Sequence, residues 1–357
     1  MKMTKTTYNL LLRLIAGIAA ALILVGATAL LTQSSKNLYQ RASGVKTDSV
    51  VMTVDGVEIH AEDYLYWLSY YCDSCKDFLG YMGITDLNAE LDAGLTAGDY
   101  MAQQAELQTI NTLTQYAVID NWAAEKNITL TQEDLASIAA QRAQSVEQLG
   151  GEKAYQAWLK TLGVSDSFIT RSLEHSCLIN HLQEAYCSDD GALRPDDAAI
   201  DAYLAKHETL SGCILFIDTC EMDEEAKAKA LVQMQDYAET LTTAEDRDAA
   251  FAEIAEALSV SPDVATFTAE NVEEAVFNAV KALEVEALSD VIETEEGYYL
   301  VIRKELDRTA ILGGMLNEEF SNRCTNAEVI YNDKIYGAIN PLSFYQKLVA
   351  AQSRISQ

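Results

Sequence analysis

Cationic charge is scarce in this 357-residue chain, where 25 Lys and Arg stand against 55 Asp and Glu and the formal net charge is -30 at pH 7. Phosphate backbones are held by clustered cations, so nucleic acid is excluded as a partner. Proline is nearly absent, with three in all, which excludes a proline-rich spacer or a collagen-like chain. Seven cysteines are too few for a disulfide scaffold, and the odd count leaves at least one thiol without a partner in the chain. Nucleophile elbow, phosphate loop and zinc-protease helix are also missing, so no metal and no cofactor are expected. What is present is enough apolar residue, 49%, to fold into two or three domains at about 100 to 200 residues each.

The acidity begins late. Residues 1–31 hold Lys2, Lys5 and Arg13 and no acidic side chain. From Leu14 to Leu31 run 18 uncharged residues, which as a helix at about 1.5 Å per residue reach about 27 Å, close to a hydrocarbon core. Basic residues before the run place the N-terminus inside and the acidic bulk outside. Residues 1–35 are therefore expected to be a cytoplasmic tip and single-pass signal anchor in the cell membrane. The alternative is a signal peptide cleaved at Ala27-Thr28-Ala29, which would release a secreted protein, although its apolar core exceeds the usual length of about 7 to 15 residues. Residues 36–49 are polar and aperiodic and read as a stalk.

The fold class expected beyond the membrane helix is α+β. Val50–Val54 and Val57–Ile59 read as strands around an Asp55-Gly56 turn. Apolar residues at helical spacing follow from Ala61, and further helices are predicted at 98–126, 131–149, 151–161, 165–187 and from Pro195 to about His207. Residues 50–210 are thus a helical domain. At Cys213–Ile217 an unbroken apolar run marks a buried strand. Helices at about 221–241 and 246–258, a strand at 264–267, a helix at 272–282 and strands at 291–294 and 298–303, with Glu296-Gly297 as their turn, complete a domain over 211–307. Residues 308–357 return to helix and, being too short for a core of their own, are expected to pack on the first domain.

Ser211-Gly-Cys-Ile-Leu-Phe216, Phe251-Ala-Glu-Ile-Ala255, Glu274-Ala-Val-Phe277, Leu288-Ser-Asp-Val-Ile-Glu-Thr294 and Gly297-Tyr-Tyr-Leu-Val301, in this order and spacing, resemble a parvulin-type peptidyl-prolyl isomerase domain. Val51-Met-Thr-Val-Asp-Gly-Val-Glu-Ile59 with Tyr64, and Ala327-Glu-Val-Ile-Tyr331, resemble the flanking chaperone parts of SurA/PrsA-like foldases. The resemblance covers residues 50–345 and implies an extracytoplasmic foldase, a helical chaperone domain with an inserted parvulin domain. It implies unfolded or newly secreted polypeptides as partners, with the membrane reached through the N-terminal helix. By resemblance Phe277 is a proline-pocket aromatic, with Phe267 beside it. The family's two histidines are absent; Cys213 and Tyr299 stand at their positions and are by resemblance the candidate catalytic residues, and the glycine-rich stretch is replaced by Ser261-Pro-Asp-Val-Ala-Thr266. The resemblance thus implies a chaperone whose parvulin domain is degenerate, with an active isomerase using an altered site, or a structural envelope docking protein, as alternatives.

Three further groups carry candidate chemistry. Tyr64, Tyr66, Trp67, Tyr70 and Tyr71 crowd one helix, and Tyr64, Trp67 and Tyr71 are candidate client-binding residues; a helix core with tyrosine tips at the surface accounts for them equally. Cys72 and Cys75 have redox spacing but fall inside a predicted helix, away from the helix N-terminus that stabilises a thiolate. Cys177 and His181 share a helix face at i and i+4 without an evident third ligand.

Overall fold

The computed structural model describes residues 37–92 and 94–353. The run from Leu14 to Leu31, and with it the expected anchor, lies outside the described residues, among which no helix is long and apolar enough to cross a membrane. In chain order the elements begin with α1 (Leu38–Ser43), β1 (Val50–Val54), β2 (Val57–His60), α2 (Ala61–Tyr81), β3 (Glu90–Asp92), β4 (Leu95–Thr96) and α3 (Ala97–Glu125). Next come α4 (Gln132–Gln148), α5 (Glu152–Leu162), α6 (Asp166–Cys187), α7 (Asp197–Lys206), β5 (Thr209–Asp218), α8 (Glu224–Thr243) and α9 (Arg247–Leu258). The remainder is β6 (Ala265–Thr268), α10 (Glu274–Lys281), β7 (Ile292–Glu293), β8 (Gly297–Lys304), α11 (Leu312–Asn326), β9 (Val329–Tyr331), α12 (Asp333–Tyr336) and α13 (Pro341–Ser353). Helices and antiparallel strands are segregated, which makes the fold α+β. The described residues form two compact units, one of Ala185–Asn317 and the other of residues 37–184 together with 318–353.

In the helical unit the first hairpin follows from its turn. Asp55 and Gly56 sit in left-handed backbone, at φ 47° and 85°, the geometry that a two-residue turn between right-twisted strands demands. Helix starts are equally local: Thr131 accepts from the Asp134 amide at 3.1 Å while its own amide donates to Asp134 Oδ2 at 2.7 Å, a reciprocal box that opens α4. The tail enters this unit as β9, which pairs antiparallel with β1 through Met52–Tyr331 and Val54–Val329. Three residues are too few for strand alternation to show, so the tail read as helix alone. Phe344, Tyr345 and Leu348 of α13 are buried, and the Tyr345 hydroxyl donates to Asp73 Oδ1 on α2 at 2.5 Å.

The stalk expected at residues 36–49 is corrected by this unit. Asn37 caps α1 by accepting from the Gln40 amide at 2.7 Å, and Leu38, Tyr39, Ala42 and Val45 are buried. The Tyr39 ring lies edge-on to Phe344, with centroids 5.9 Å apart, and so close over Gly163 that a Cβ there would meet it at 3.0 Å. A six-residue helix shows less than two turns of periodicity, which is why sequence pattern alone misses it.

The other unit is built on a four-stranded antiparallel sheet in the order β6-β5-β8-β7. β5 is apolar without alternation because helices cover both faces. Met234 and Leu241 of α8 and Phe251 and Ala255 of α9 pack on Cys213, Leu215, Leu300 and Ile302. Val276, Phe277 and Val280 of α10 pack on Val301 and Phe267 on the opposite side. α7, which the sequence reading put with the helical domain, belongs to this unit; Arg308 holds it by donating to Asp201 at 2.7 Å. Gly297 is not the turn glycine its position suggested. It opens β8 without a positive φ, and a Cβ there would meet Ile217 O at 2.0 Å and the Phe216 ring at 2.8 Å, so it is required by close approach.

Candidate functional site

The two positions where the family histidines would stand are separated by the sheet they share. Tyr299 pairs with Phe216 across the β5–β8 ladder, and Cys213 pairs with Ile302. Paired residues point to one face and neighbours alternate, so Cys213, three residues from Phe216, faces away from Tyr299. The packing agrees: Cys213 lies in the core under α8 and α9, while Tyr299 flanks the core under α10. Cys213 and Tyr299 therefore do not form a pair, and the reading of them as one catalytic site is corrected. Cys213 is a buried core thiol, pushed up by burial although Lys304 pulls it down.

On the α10 face, Phe267 and Phe277 are buried in the core and offer no open proline pocket at their own side chains. What reaches the surface there is the stacked pair Phe216 and Tyr299, half-buried, with ring centroids 4.4 Å apart. Burial, and after it the charges of Glu273 and Glu296, raise the Tyr299 hydroxyl above its ordinary range. It stays protonated and donates to Glu273 Oε1 at 3.4 Å. This face offers a stacked ring pair and one hydroxyl that is already bonded to a carboxylate.

The aromatic run at the start of α2 is mostly interior. Tyr64 is fully buried and Trp67 is 5% exposed; Tyr64 donates to Glu106 at 3.1 Å, as Tyr336 of α12 does at 2.8 Å. Tyr71 is half-buried and bonded to Thr112 at 2.7 Å, and Trp67 packs between Tyr70, Tyr71 and Tyr116. Their assignment to client binding is corrected: they cement α2 to α3 and to the tail. Cys72 and Cys75 are unbridged; burial pushes the Cys72 thiol up to about 12 and raises Cys75 as well, the opposite of an activated redox thiol. His181 is hydrogen-bonded to Asp134 at 2.8 Å, and among the described residues no group of three or more His, Cys, Asp or Glu side chains is gathered to hold a metal.

The other end of α2 is different. Phe78, Tyr81 and Met82, spaced i, i+3 and i+4 on one side of the last turn, are 55%, 89% and 61% exposed. The helix does not fray to produce this. Ile84 N donates to Leu79 O at 2.8 Å and Gly83 N to Gly80 O at 3.0 Å, with Gly83 at φ 80°, a Schellman stop that fixes the turn. Leu79 beneath is buried. The stripe is thus an apolar projection carried on a hydrogen-bonded helix stop. Sequence reasoning passed over these three residues, yet a signal exists: the buried positions Leu65, Leu68, Cys72 and Leu79 define the core face, and Tyr81 falls outside it.

No protein-family model matches the sequence, and no curated protein matches it. Solved structures do. Foldase protein PrsA of Streptococcus pneumoniae is similar at 18% identity over 74% of this chain and 93% of that chain, with a TM-score of 0.22. Foldase protein PrsA of Lactococcus lactis is similar at 14% identity over 84% and 99%, with a TM-score of 0.29. A SurA-like chaperone of Campylobacter jejuni is similar at 11% identity over 79% and 98%, with a TM-score of 0.18. These structural neighbours are foldases and chaperones. They are the kinds of protein that the sequence resembles.

Proposed function

We propose that the chain is an extracytoplasmic chaperone that holds unfolded or newly exported polypeptides, tethered to the membrane by residues 14–31, with a parvulin-like unit that does not catalyse prolyl isomerisation. The observation that carries this reading is the exposed stripe Phe78, Tyr81 and Met82 on its capped helix end. Large apolar side chains projecting together from a strongly acidic chain bind extended apolar segments without demanding a sequence, since burial is non-directional. A chaperone needs no more chemistry than this.

The placement of Cys213 and Tyr299 on opposite sheet faces argues against the isomerase reading. Lowering the barrier of about 18 to 20 kcal/mol to amide rotation requires groups that bind the twisted amide better than either planar isomer. One neutral tyrosine hydroxyl beside a stacked ring binds both isomers nearly alike.

A photo-crosslinking side chain placed at position 81 of the full chain, mixed with a defined unfolded polypeptide that contains no proline, tests the proposal. Crosslinking at 81 and none from the same group at the exposed position 239 of α8 is the expected result. Equal labelling at both positions, or none at 81, would refute it.

A further inference from the structure

The stripe at the end of α2 lies within an acidic segment. Between residues 73 and 92 stand Asp73, Asp77, Asp86, Glu90 and Asp92 against the single cation Lys76, and Asp77, Asp86, Glu90 and Asp92 are all exposed. The exposed rings add to the same preference. The face of an aromatic ring is electron-rich and attracts Lys and Arg, and Tyr81, 89% exposed and the most exposed large apolar side chain among the described residues, offers an open ring face. An anionic peptide arriving here would meet repulsion from the carboxylates and gain nothing from the rings. A peptide whose apolar core is flanked by Lys or Arg would bury the core on Phe78 and Met82 while its flanks met carboxylates and ring faces.

Resting on the reading of this stripe as the client surface, we infer that the chain selects apolar segments flanked by basic residues over apolar segments flanked by acidic ones. The preference is electrostatic, between exposed groups, and is therefore screened by salt. Attraction to exposed carboxylates is modest per pair, and several acting together with the rings give a preference on the order of tenfold at low salt.

The test uses the full chain in nanodiscs of zwitterionic lipid and three fluorescent peptides with one apolar core, flanked by Lys, Ser or Glu. Binding is read by anisotropy. The expected order of affinity is Lys, then Ser, then Glu, with the spread collapsing when salt is raised to about 0.5 M, where the screening length is only a few Å. Replacing Asp77→Asn, Asp86→Asn and Asp92→Asn together is expected to shrink the spread at low salt and leave the Ser-flanked peptide unchanged. Phe78→Ser with Tyr81→Ser is expected to weaken all three peptides. Equal binding of the three peptides at low salt, or a spread that the Asn variant keeps, overturns the inference and leaves the chaperone reading standing. Failure of every peptide to bind the unmodified chain overturns both.

Discussion

The two ends of α2 carry nearly the same side chains in opposite situations. At its start Tyr64 and Trp67 are closed inside the helical unit; three turns later Phe78, Tyr81 and Met82 stand in water. Composition does not distinguish these ends, because aromatic crowding marks both a core and a contact surface. Register does. Residues in step with Leu65, Leu68 and Cys72 go inside, and the out-of-step residues on either side of the last core position, Leu79, are left outside by a helix that stops on Gly83. An aromatic cluster is thus left open to solvent only where the fold has nothing left to pack on it.

Truncation at the buried end should give the largest effect. Trp67→Ala removes a ring packed against Tyr70, Tyr71 and Tyr116 and should lower the stability of the helical unit by about 3 to 5 kcal/mol in denaturant unfolding. A change of under about 1 kcal/mol would mean that the start of α2 is not core. Next in size is Cys213→His combined with Tyr299→His. An imidazole under α8 and α9 lacks a partner and should cost about 1 to 3 kcal/mol. A proline-peptide assay should show no isomerase activity gained, since the two rings would point to opposite faces.

A smaller effect is expected from Asp166→Asn. Burial raises this carboxyl, but hydrogen bonds from Arg142 and Tyr155 and the Arg142 charge outweigh it, and the group titrates below its ordinary range. Its contribution is then fully present above the unfolded value of about 3.9 and is lost as pH falls through the lower folded value. The pair is partly exposed, so the variant should lose roughly 1 kcal/mol or less at pH 7. Thermal unfolding across the acid range checks the sign: the unmodified protein should lose stability below about pH 4 more steeply than the variant does. Smallest of all is Tyr81→Ser, which should move stability by less than about 0.5 kcal/mol, as expected of an exposed residue.

Much of the architecture was legible in the sequence because its signals are local. Thr131 with Asp134 announces α4, Asp55-Gly56 announces the first hairpin, and the unbroken run Cys213–Ile217 announces a strand covered on both faces. The elements that escaped are those whose reason is tertiary: α1 exists because Tyr39 packs on Phe344 and Gly163, and β9 because β1 has an open edge. The site was less legible. Sequence alignment by type put Cys213 and Tyr299 in one site, while pairing register puts them on two faces, and register is not visible in either strand alone. The tyrosines at the start of α2 drew attention by number, while the exposed residues at its end are few and flank the buried Leu79.

The most direct test is aggregation of an unfolded, proline-free client followed by light scattering, with the full chain unmodified or carrying Phe78→Ser, Tyr81→Ser and Met82→Ser. The stripe reading predicts that the unmodified chain suppresses aggregation and that the triple variant loses most of that suppression while its melting temperature stays within a few degrees. A folded triple variant that suppresses aggregation as well as the unmodified chain would contradict it.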